Sequence, residues 1–262
     1  EICTYEFGYG LEGLLSYRRE QGRLSGILNG IDEQQWNPAI DKDIAKTFSI
    51  KTLRNKKINK TALQTHFHLP IKEDVLVIGL ISRLVSQKGI DLSLTAIDRL
   101  LENQQNIQFI CLGSGQAEYE QDLRILRASF PDKVAIHIGY DEKLAHQIEA
   151  GSDVFLMPSR FEPCGLNQMY SLKYGTLPIV RQTGGLADTV VDASEENRKN
   201  QTANGFKFDQ ANAQVLEDTL YRVIDLFKRP RVWRKMMITA MDHDFSWEKS
   251  ATKYDALYEK LN

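Results

Sequence analysis

Two cations and one carboxylate stand where they are able to bind and polarise an anionic substrate. Arg83 and Lys88 flank a turn that follows an apolar run, and Glu162 lies in a loop that follows another apolar run. Arginine binds phosphate oxygens bidentately and lysine acts as a point charge, so the two cations suit a diphosphate, unless they are solvated surface charges. A carboxylate beside an anion site needs a separate explanation.

The carboxylate lies in the loop formed by residues 158–168, which holds two prolines and a glycine. An apolar run at 153–157 precedes this loop, and apolar residues at helical spacing follow it at 165–174. A strand, a sharp loop and a helix start form the βα corner of a doubly wound sheet, where ligands bind beyond the carboxyl ends of the strands. The backbone amides expected to face the same phosphate as the two cations are those of Gly165, Leu166 and Asn167.

Three further loops at the same edge of the sheet carry residues suited to a ligand. Gly113 and the pair Gly184 and Gly185 let the backbone approach a ligand closely, although such glycines also make tight turns. Tyr140 follows the third strand, where its ring is placed either to stack on a base or to pack beneath the loop. With the cations, the amides and the carboxylate, these residues predict a site for a nucleotide diphosphate that carries a hydroxylated group.

The elements that must position these residues are buried strands alternating with helices. A continuous apolar run, typical of a strand buried on both faces, occupies residues 75–81. Further strands are predicted at 107–112, 134–138, 153–157 and 177–180, with an edge strand at 205–208. Helical periodicity occupies the segments between them and three later segments, 213–227, 230–241 and 247–261. The alternation predicts right-handed βαβ units and a doubly wound, Rossmann-like parallel α/β sheet.

The remaining segments predict less regular structure. Residues 10–19 have the pattern of an amphipathic helix, and residues 24–28 have that of a strand. Residues 32–74 are interpreted as a connection with some helix that takes no part in the core. The polar tract at 192–204 is interpreted as a mobile surface loop.

Composition narrows the classes of function. With 33 lysines and arginines against 35 aspartates and glutamates, the formal net charge is −2, which disfavours a general nucleic-acid binder. Three scattered cysteines favour reduced thiols, and no apolar run approaches the length of a membrane span. Zinc sites, Ser-His-Asp hydrolases and dinucleotide oxidoreductases are disfavoured, because metal-ligand spacing, a Gly-x-Ser-x-Gly elbow and a glycine-rich turn after the first core strand are absent.

Several longer motifs occur in order along the chain. They are Ser82-Arg83-Leu84 followed by Gln87-Lys88-Gly89, residues 159–166, Lys173-Tyr174-Gly175-Thr176-Leu177-Pro178, Thr183-Gly184-Gly185-Leu186-Ala187-Asp188 and Asp244-Phe245-Ser246-Trp247. In these motifs the whole chain resembles the carboxyl-terminal half of the bacterial glycogen synthase and plastid starch synthase family.

The resemblance implies a GT-B glycosyltransferase, in which two Rossmann-like domains face a cleft. Residues 1–28 are then the tail of the amino-terminal domain, 29–244 the carboxyl-terminal nucleotide-sugar-binding domain, and 245–262 a return helix that packs toward the amino-terminal domain. The implied reaction transfers glucose from ADP-glucose to the non-reducing end of an α-1,4-glucan with retention, in the bacterial cytoplasm or the plastid stroma. The implied partners are ADP-glucose and glycogen, amylose or amylopectin, without cofactor, metal, nucleic acid or membrane, and the isolated fragment is expected to be inactive.

The resemblance also implies a role for each site residue. Arg83 and Lys88 stabilise the leaving diphosphate, where charge develops as the glycosidic bond breaks. Glu162 touches the donor glucose, and a positioning and electrostatic role is favoured over that of a nucleophile beneath the anomeric carbon. Tyr140 stacks on adenine, and Asn29 reaches the glucose. The other donor-binding positions are Ser82, Gly113, Cys164, Gly165, Leu166, Asn167, Gly184 and Gly185.

Two positions depart from the wider pattern. Asn167 stands where related sequences commonly carry threonine, and Tyr170 stands where the wider GT-B superfamily often has a glutamate for the ribose. Tyrosine is usual there in this subfamily, so ribose recognition stays unassigned. Two alternatives stay open: another GT-B transferase that uses UDP-glucose, which Cys164 disfavours, and a non-catalytic module that binds nucleotide or glucan.

Overall fold

The computed structural model describes residues 1–260, and the chain divides into two compact units. One unit holds Glu1–Gly30 together with the chain from Phe245 onward, and the other holds Ile31–Asp244. Within the described chain, no helix is both long enough and apolar enough to cross a membrane.

Helices and strands alternate through the larger unit, and the smaller unit holds the first two helices and the last one. The helices are α1 (Tyr5–Gly8), α2 (Glu12–Glu20), α3 (Lys56–His66), α4 (Ile90–Glu102), α5 (Ala117–Ser129), α6 (Glu142–Gly151), α7 (Asn167–Lys173), α8 (Gly184–Thr189), α9 (Glu195–Lys199), α10 (Ala213–Phe227), α11 (Pro230–Met241) and α12 (Trp247–Glu259). The strands are β1 (Leu76–Ile81), β2 (Ile107–Gly113), β3 (Val134–Ile138), β4 (Val154–Met157), β5 (Leu177–Arg181) and β6 (Phe206–Phe208).

The six strands form one parallel sheet in the order β3-β2-β1-β4-β5-β6. Each predicted core strand is present, and β6 is the predicted edge strand. From β1 the chain continues through β2 to β3 on one side of the sheet. It then returns to β4, next to β1, and continues through β5 to β6 on the other side. Such a switch point opens a crevice beyond the carboxyl ends of these two strands. The predicted fold class, a doubly wound Rossmann-like α/β sheet, is confirmed.

The core covers both faces of the sheet. Val77, Ile110 and Leu112 pack with residues of α3 and α6 in one apolar cluster. Ile78 and Phe109 alternate with them along the strands and are just as buried. Since successive strand residues point to opposite faces, this burial explains why apolar residues dominate at consecutive positions of the strands.

The segment 32–74 is part of the core, so its interpretation as a mere connection is wrong. Phe48 and Leu53 are buried in one apolar cluster with Tyr174, which directly follows α7. The basic helix α3 buries two of its lysines. Lys56 Nζ donates to the carbonyl oxygens of residues 149 and 150 at 3.2 and 2.9 Å, and Lys60 Nζ lies 2.7 Å from Asp153 Oδ2. Pairing with carbonyls and a carboxylate makes the burial of these cations tolerable.

The tract 192–204 is ordered by specific contacts, which corrects its interpretation as a mobile loop. It contains α9, and Asp192 accepts two hydrogen bonds from Arg222 of α10, at 3.0 and 2.7 Å. The buried Asn204 Oδ1 accepts from the backbone amide of Val191 at 2.6 Å. Its polar composition therefore reflects internal hydrogen bonding.

In the smaller unit, the expected strand at 24–28 is absent from the described structure. The carbonyl of Leu28 instead accepts a hydrogen bond of 2.9 Å from the Ser250 hydroxyl of α12. Helix α12 begins where Ser246 Oγ accepts from the Lys249 amide, as an N-cap residue does. The predicted helix at 247–261 is thus present over Trp247–Glu259, and its last predicted residue lies outside the described chain.

Candidate active site

The loop after β1 presents two cations on either side of a buried anchor. Leu84 is buried, and its backbone amide donates to the Ser114 carbonyl at 2.9 Å, which fixes the middle of the loop. Arg83, before this anchor, is exposed and forms no ion pair or side-chain hydrogen bond with any described residue. Lys88, after it, ends a short 3-10 turn, and α4 follows directly.

The loop after β4 places Glu162 against Lys88. Glu162 is 8% exposed, and its Oε2 accepts hydrogen bonds from Lys88 Nζ and, at 3.1 Å, from Ser159 Oγ. A buried carboxylate is expensive unless it is paired and hydrogen-bonded, and both conditions hold here. The lysine therefore explains why a carboxylate is present beside a site for anions.

A bidentate ion pair joins the two loops behind this contact. Arg160 donates to both carboxylate oxygens of Asp91 in α4, at 2.8 and 2.7 Å. Hydrogen bonds from Arg160 lower the pKa of Asp91 below its usual value. The backbone amide of Arg160 also donates to the Gln87 carbonyl at 2.8 Å. These contacts hold the two loops in register, so that Lys88 and Glu162 meet.

A pocket of about 210 Å³ lies beyond the carboxyl ends of β1 and β4, at the switch point of the sheet. The predicted site residues that line it are Ser82, Arg83, Lys88, Glu162, Gly165, Leu166 and Asn167. The structure thus brings together side chains of both loops and the start of α7. This helix begins at Asn167, two residues later than the sequence pattern indicated.

The other predicted residues lie around the pocket or away from it. Gly113 ends β2 next to the loop after β1. Gly185 packs so tightly on Cys164 that an added Cβ would lie 2.1 Å from the Cys164 carbonyl oxygen, and Gly184 precedes it at the start of α8. Tyr140 is 86% exposed beyond β3. Asn29 belongs to the smaller unit.

The two residues that depart from the wider pattern both have defined partners. Asn167 Nδ2 donates to the Ile81 carbonyl at 2.9 Å, which ties the start of α7 to the end of β1. Tyr170 stacks on Trp36, with ring centroids 3.9 Å apart, and Trp36 stacks in turn on His146 at 3.8 Å. Asn167 therefore shapes the pocket, and the Tyr170 ring is held in an aromatic stack.

Comparison with known proteins identifies the family. The chain matches the family described as glycosyl transferases group 1 over residues 62–237, which is more than half of its length. The chain belongs to this family. The match includes both loops of the pocket.

Relatives of this group 1 glycosyl transferase include bacterial glycogen synthases. The chain is 52% identical over 261 residues to glycogen synthase of Cellvibrio japonicus, covering 100% of this chain and 53% of that protein. It is 49% identical over 261 residues to glycogen synthase of Haemophilus influenzae, covering 100% of this chain and 54% of that protein. The chain therefore spans about half the length of these relatives.

Solved structures agree with this assignment. The catalytic domain of starch synthase IV from Arabidopsis thaliana, bound to ADP and acarbose, superposes with a TM-score of 0.91 at 39% identity, over 99% of this chain and 53% of that chain. The carboxyl-terminal domain of a group 1 family glycosyl transferase from Francisella tularensis superposes with a TM-score of 0.57 at 18% identity, over 86% of this chain and 98% of that chain. The second likeness shows the fold alone.

Sequence reasoning missed two functional contributors of this group 1 transferase. Ser159 lines the pocket and donates to Glu162, and the ion pair of Arg160 with Asp91 sets the distance between the two loops. Both Ser159 and Arg160 stand in the loop that follows β4, so their position at the carboxyl edge was the available signal. Arg160 pairs with Asp91, which lies 69 residues earlier in the chain, and Ser159 bonds Glu162 within the same loop. The spacing of residues in the sequence does not predict either contact.

The pocket suits a ligand with anionic and hydroxyl groups. Arg83 offers an unpaired guanidinium within the described chain, and Lys88 offers a cation held in place by Glu162. Fixed cations stabilise charge that develops on a leaving group without reorganising during the reaction. Glu162 offers carboxylate oxygens as acceptors for hydroxyl groups.

Gly89→Ala should lower the free energy of unfolding by about 2 kcal/mol or more, because overpacking adds to left-handed backbone strain. Gly89 has φ +68°, and a Cβ there would lie 2.2 Å from the Pro158 carbonyl oxygen. The loops after β1 and β4 would have to separate. Urea denaturation measures the loss. Gly22→Ala is the matched control, because Gly22 has φ +65° and its Cβ would meet no atom within 4 Å, and a loss equal to the control would contradict the proposed close approach.

Proposed function

We propose that this chain is the donor-binding half of a retaining glucosyltransferase that transfers glucose from ADP-glucose to the non-reducing end of an α-1,4-glucan. The observation that carries the proposal is the pocket in which Arg83, Lys88 and Glu162 meet, in a chain about half identical to bacterial glycogen synthases. The ADP in the starch synthase IV structure supports an adenine nucleotide as the donor's leaving group.

Arg83 and Lys88 act on the leaving diphosphate in this proposal. As the bond between the anomeric carbon and the phosphate oxygen breaks, negative charge grows on the diphosphate. The exposed guanidinium of Arg83 binds phosphate oxygens bidentately, and Lys88 adds a point charge from the opposite side of the turn. Their interaction with the transition state is stronger than with the ground state, so they raise turnover.

Glu162 acts as a positioning and electrostatic group. Both of its hydrogen bonds within the described chain go to Oε2, which leaves Oε1 for a hydroxyl of the donor glucose. A carboxylate paired with a lysine ammonium is a weak nucleophile, since its charge is already compensated. The contact of Glu162 with Lys88 also couples sugar recognition to diphosphate stabilisation.

The other site residues complete the donor site in the same proposal. Tyr140 presents an exposed ring on which adenine stacks, and the family resemblance assigns Asn29 to the glucose. Residues 29–244 form the donor-binding domain, 1–28 the tail of the amino-terminal domain, and 245–262 the return helix. The chain by itself does not elongate glucan, and the whole enzyme works in the bacterial cytoplasm or the plastid stroma.

The full-length enzyme should bind ADP-glucose at least about tenfold more tightly than UDP-glucose, a difference of about 1.4 kcal/mol. A purine presents a larger face to the ring of Tyr140 than a pyrimidine does, and stacking contributes about 1–3 kcal/mol per base. Calorimetry with both donors measures the ratio. Tyr140→Ala should reduce it toward one, whereas Tyr254→Ala, in α12, should leave it unchanged.

Equal or tighter binding of UDP-glucose by the full-length enzyme would overturn the donor assignment and favour another GT-B transferase. Binding of both donors without any transfer to glucan would favour a non-catalytic module instead.

A further inference from the structure

A second cavity lies at the amino-terminal ends of the strands. The pocket lined by Arg83, Lys88 and Glu162, called the donor pocket below, lies at their carboxyl ends. The second cavity has a volume of about 940 Å³, and its walls include Asp74, Asn106 and Asp153, which precede β1, β2 and β4. The donor pocket, by contrast, lies beyond the carboxyl ends of β1 and β4. The two cavities are therefore separated by the length of the sheet, and the second one has no part in the site described above.

This groove concentrates positive charge. Seven lysine and arginine side chains line it, against three carboxylates, in a chain whose net charge is −2. Four of its cations come from the polypeptide near residues 51–57, and the others include Lys228 and Arg234, at the two ends of a stretch that contains four cations and no carboxylate. Clustered cations in a concave wall raise the local concentration of anions.

The seven cations differ in their partners, and two of them, Lys57 and Lys228, are exposed and paired with Glu73 and Asp225. Lys56 and Lys60 form part of the floor, and their ammonium groups are occupied by carbonyl oxygens and Asp153. At the rim, Lys51, Arg54 and Arg234 are exposed and form no ion pair or side-chain hydrogen bond with any residue in the range 1–260. Rim cations of this kind are available to an external anion.

The groove also contains apolar surface suited to a ring. Phe227 is half-buried, its ring lies 5.1 Å from Lys60 Nζ, and Trp233 meets it edge-on with centroids 5.2 Å apart. Pro230 and Met237 extend this surface. Ligand sites of several hundred Å³ combine such apolar walls with a few placed charges.

We propose that this groove, lined by Phe227, Arg54 and Arg234, is a second binding site that takes a nucleoside phosphate away from the donor pocket. The base packs on the surface formed by Phe227, Pro230 and Met237, and the phosphate lies between the two arginines, with Lys51 nearby. An inorganic anion would use the rim alone, and a neutral sugar would leave the rim cations without a partner. A nucleoside phosphate uses both.

Fluorine NMR of the chain labelled with 5-fluorotryptophan tests this site directly. The three tryptophans lie in different surroundings, Trp233 at the groove, Trp36 in the stack beside α7 and Trp247 in the smaller unit, and single Trp→Phe variants assign their signals. AMP should shift the Trp233 signal saturably and leave the Trp247 signal in place. Arg54→Gln/Arg234→Gln should weaken this AMP binding at least tenfold.

Arg18→Gln/Arg19→Gln is the matched control, because it removes two exposed positive charges from α2 and should change the affinity less than twofold. The proposal is overturned if AMP produces no saturable Trp233 shift, or if the control weakens binding as much as the groove variant. It is also overturned if inorganic phosphate binds as tightly as AMP, or if Arg83→Gln/Lys88→Gln abolishes the Trp233 shift. Thermal unfolding of each variant confirms that it is folded.

Discussion

In the full-length enzyme, Lys88→Ala should lower turnover about a hundredfold or more while glucan affinity changes only a few-fold. Removing one preorganised group that stabilises developing charge costs about 10²–10³ in turnover. The variant also leaves Glu162 buried and without its cation, retaining only the hydrogen bond from Ser159. Initial rates with saturating ADP-glucose measure turnover, and affinity electrophoresis in glycogen gels measures glucan binding.

Lys199→Ala is the matched control for this experiment. Lys199 also pairs with a glutamate, Glu195, at 2.8 Å, but both side chains are mostly exposed and far along the chain from the pocket loops. Exposed pairs of this kind contribute little, so turnover should not change. Lys88→Arg should keep part of the activity, because the charge remains. If Lys88→Ala keeps turnover within about threefold, under 1 kcal/mol of barrier, Lys88 does not stabilise the diphosphate.

The sheet was predictable because burial on both faces leaves a strong mark in the sequence. A strand with a helix layer on each side favours apolar residues on both faces, so β1 appears as an apolar run and β2 is interrupted only by Gln108, which is buried and hydrogen-bonded to Gln64. Helices that cover such a sheet keep a polar side, and their periodicity separates them from the strands. The right-handed βαβ rule predicted a parallel, doubly wound sheet, and the structure supplies the order of its strands.

The segment before β1 was misjudged because its buried lysines look like surface residues. Lys56 and Lys60 give α3 a basic, polar composition, yet their ammonium groups reach carbonyls and a carboxylate that lie 13–94 residues away. Composition reports the charge of a side chain and not its partner. The same reason explains the polar tract at 192–204, whose order depends on Arg222 of α10.

The site was predictable as a set of loops but not as a set of contacts. Parallel strands end at one edge, so the loops after β1 and β4 had to lie near each other, and the pocket lies there. The direct contact of Lys88 with Glu162 depends on Arg160 and Asp91, which fix the distance between the loops. The packing of the two loops sets this distance, and the spacing of residues along the chain does not predict it.

The buried carboxyl of Glu149 should make the free energy of unfolding depend strongly on pH. Its carboxyl is 1% exposed, Oε2 accepts a hydrogen bond of 2.7 Å from the Ser171 hydroxyl, and Oε1 has no partner among the described residues. Burial raises the pKa of Glu149 from 4.5 to about 8. Between pH 4.5 and about 8, the carboxyl of Glu149 is therefore protonated in the folded protein and ionised in the unfolded chain. Stability contributed by the neutral carboxyl should fall as pH rises from about 5 to 8, by about 1.4 kcal/mol per pH unit.

Glu149→Gln should remove this loss, since the amide stays neutral and keeps an acceptor for the Ser171 hydroxyl. Relative to the native protein, the variant should gain stability by up to about 1.4 kcal/mol per unit between pH 5 and 8, and the difference should level off above pH 8. Burial lowers the pKa of Lys56 from 10.5 to about 7, and the charge of Glu149 acts in the opposite direction. The substitution therefore also lowers the pKa of Lys56, and the difference between the two proteins reports the coupled pair. Urea unfolding at pH 5, 6.5, 8 and 9 measures the difference.

Glu195→Gln is the control, because Glu195 is mostly exposed, and its difference from the native protein should not change with pH. A flat profile for Glu149→Gln as well would show that Glu149 is ionised throughout and that its charge is compensated by Lys56.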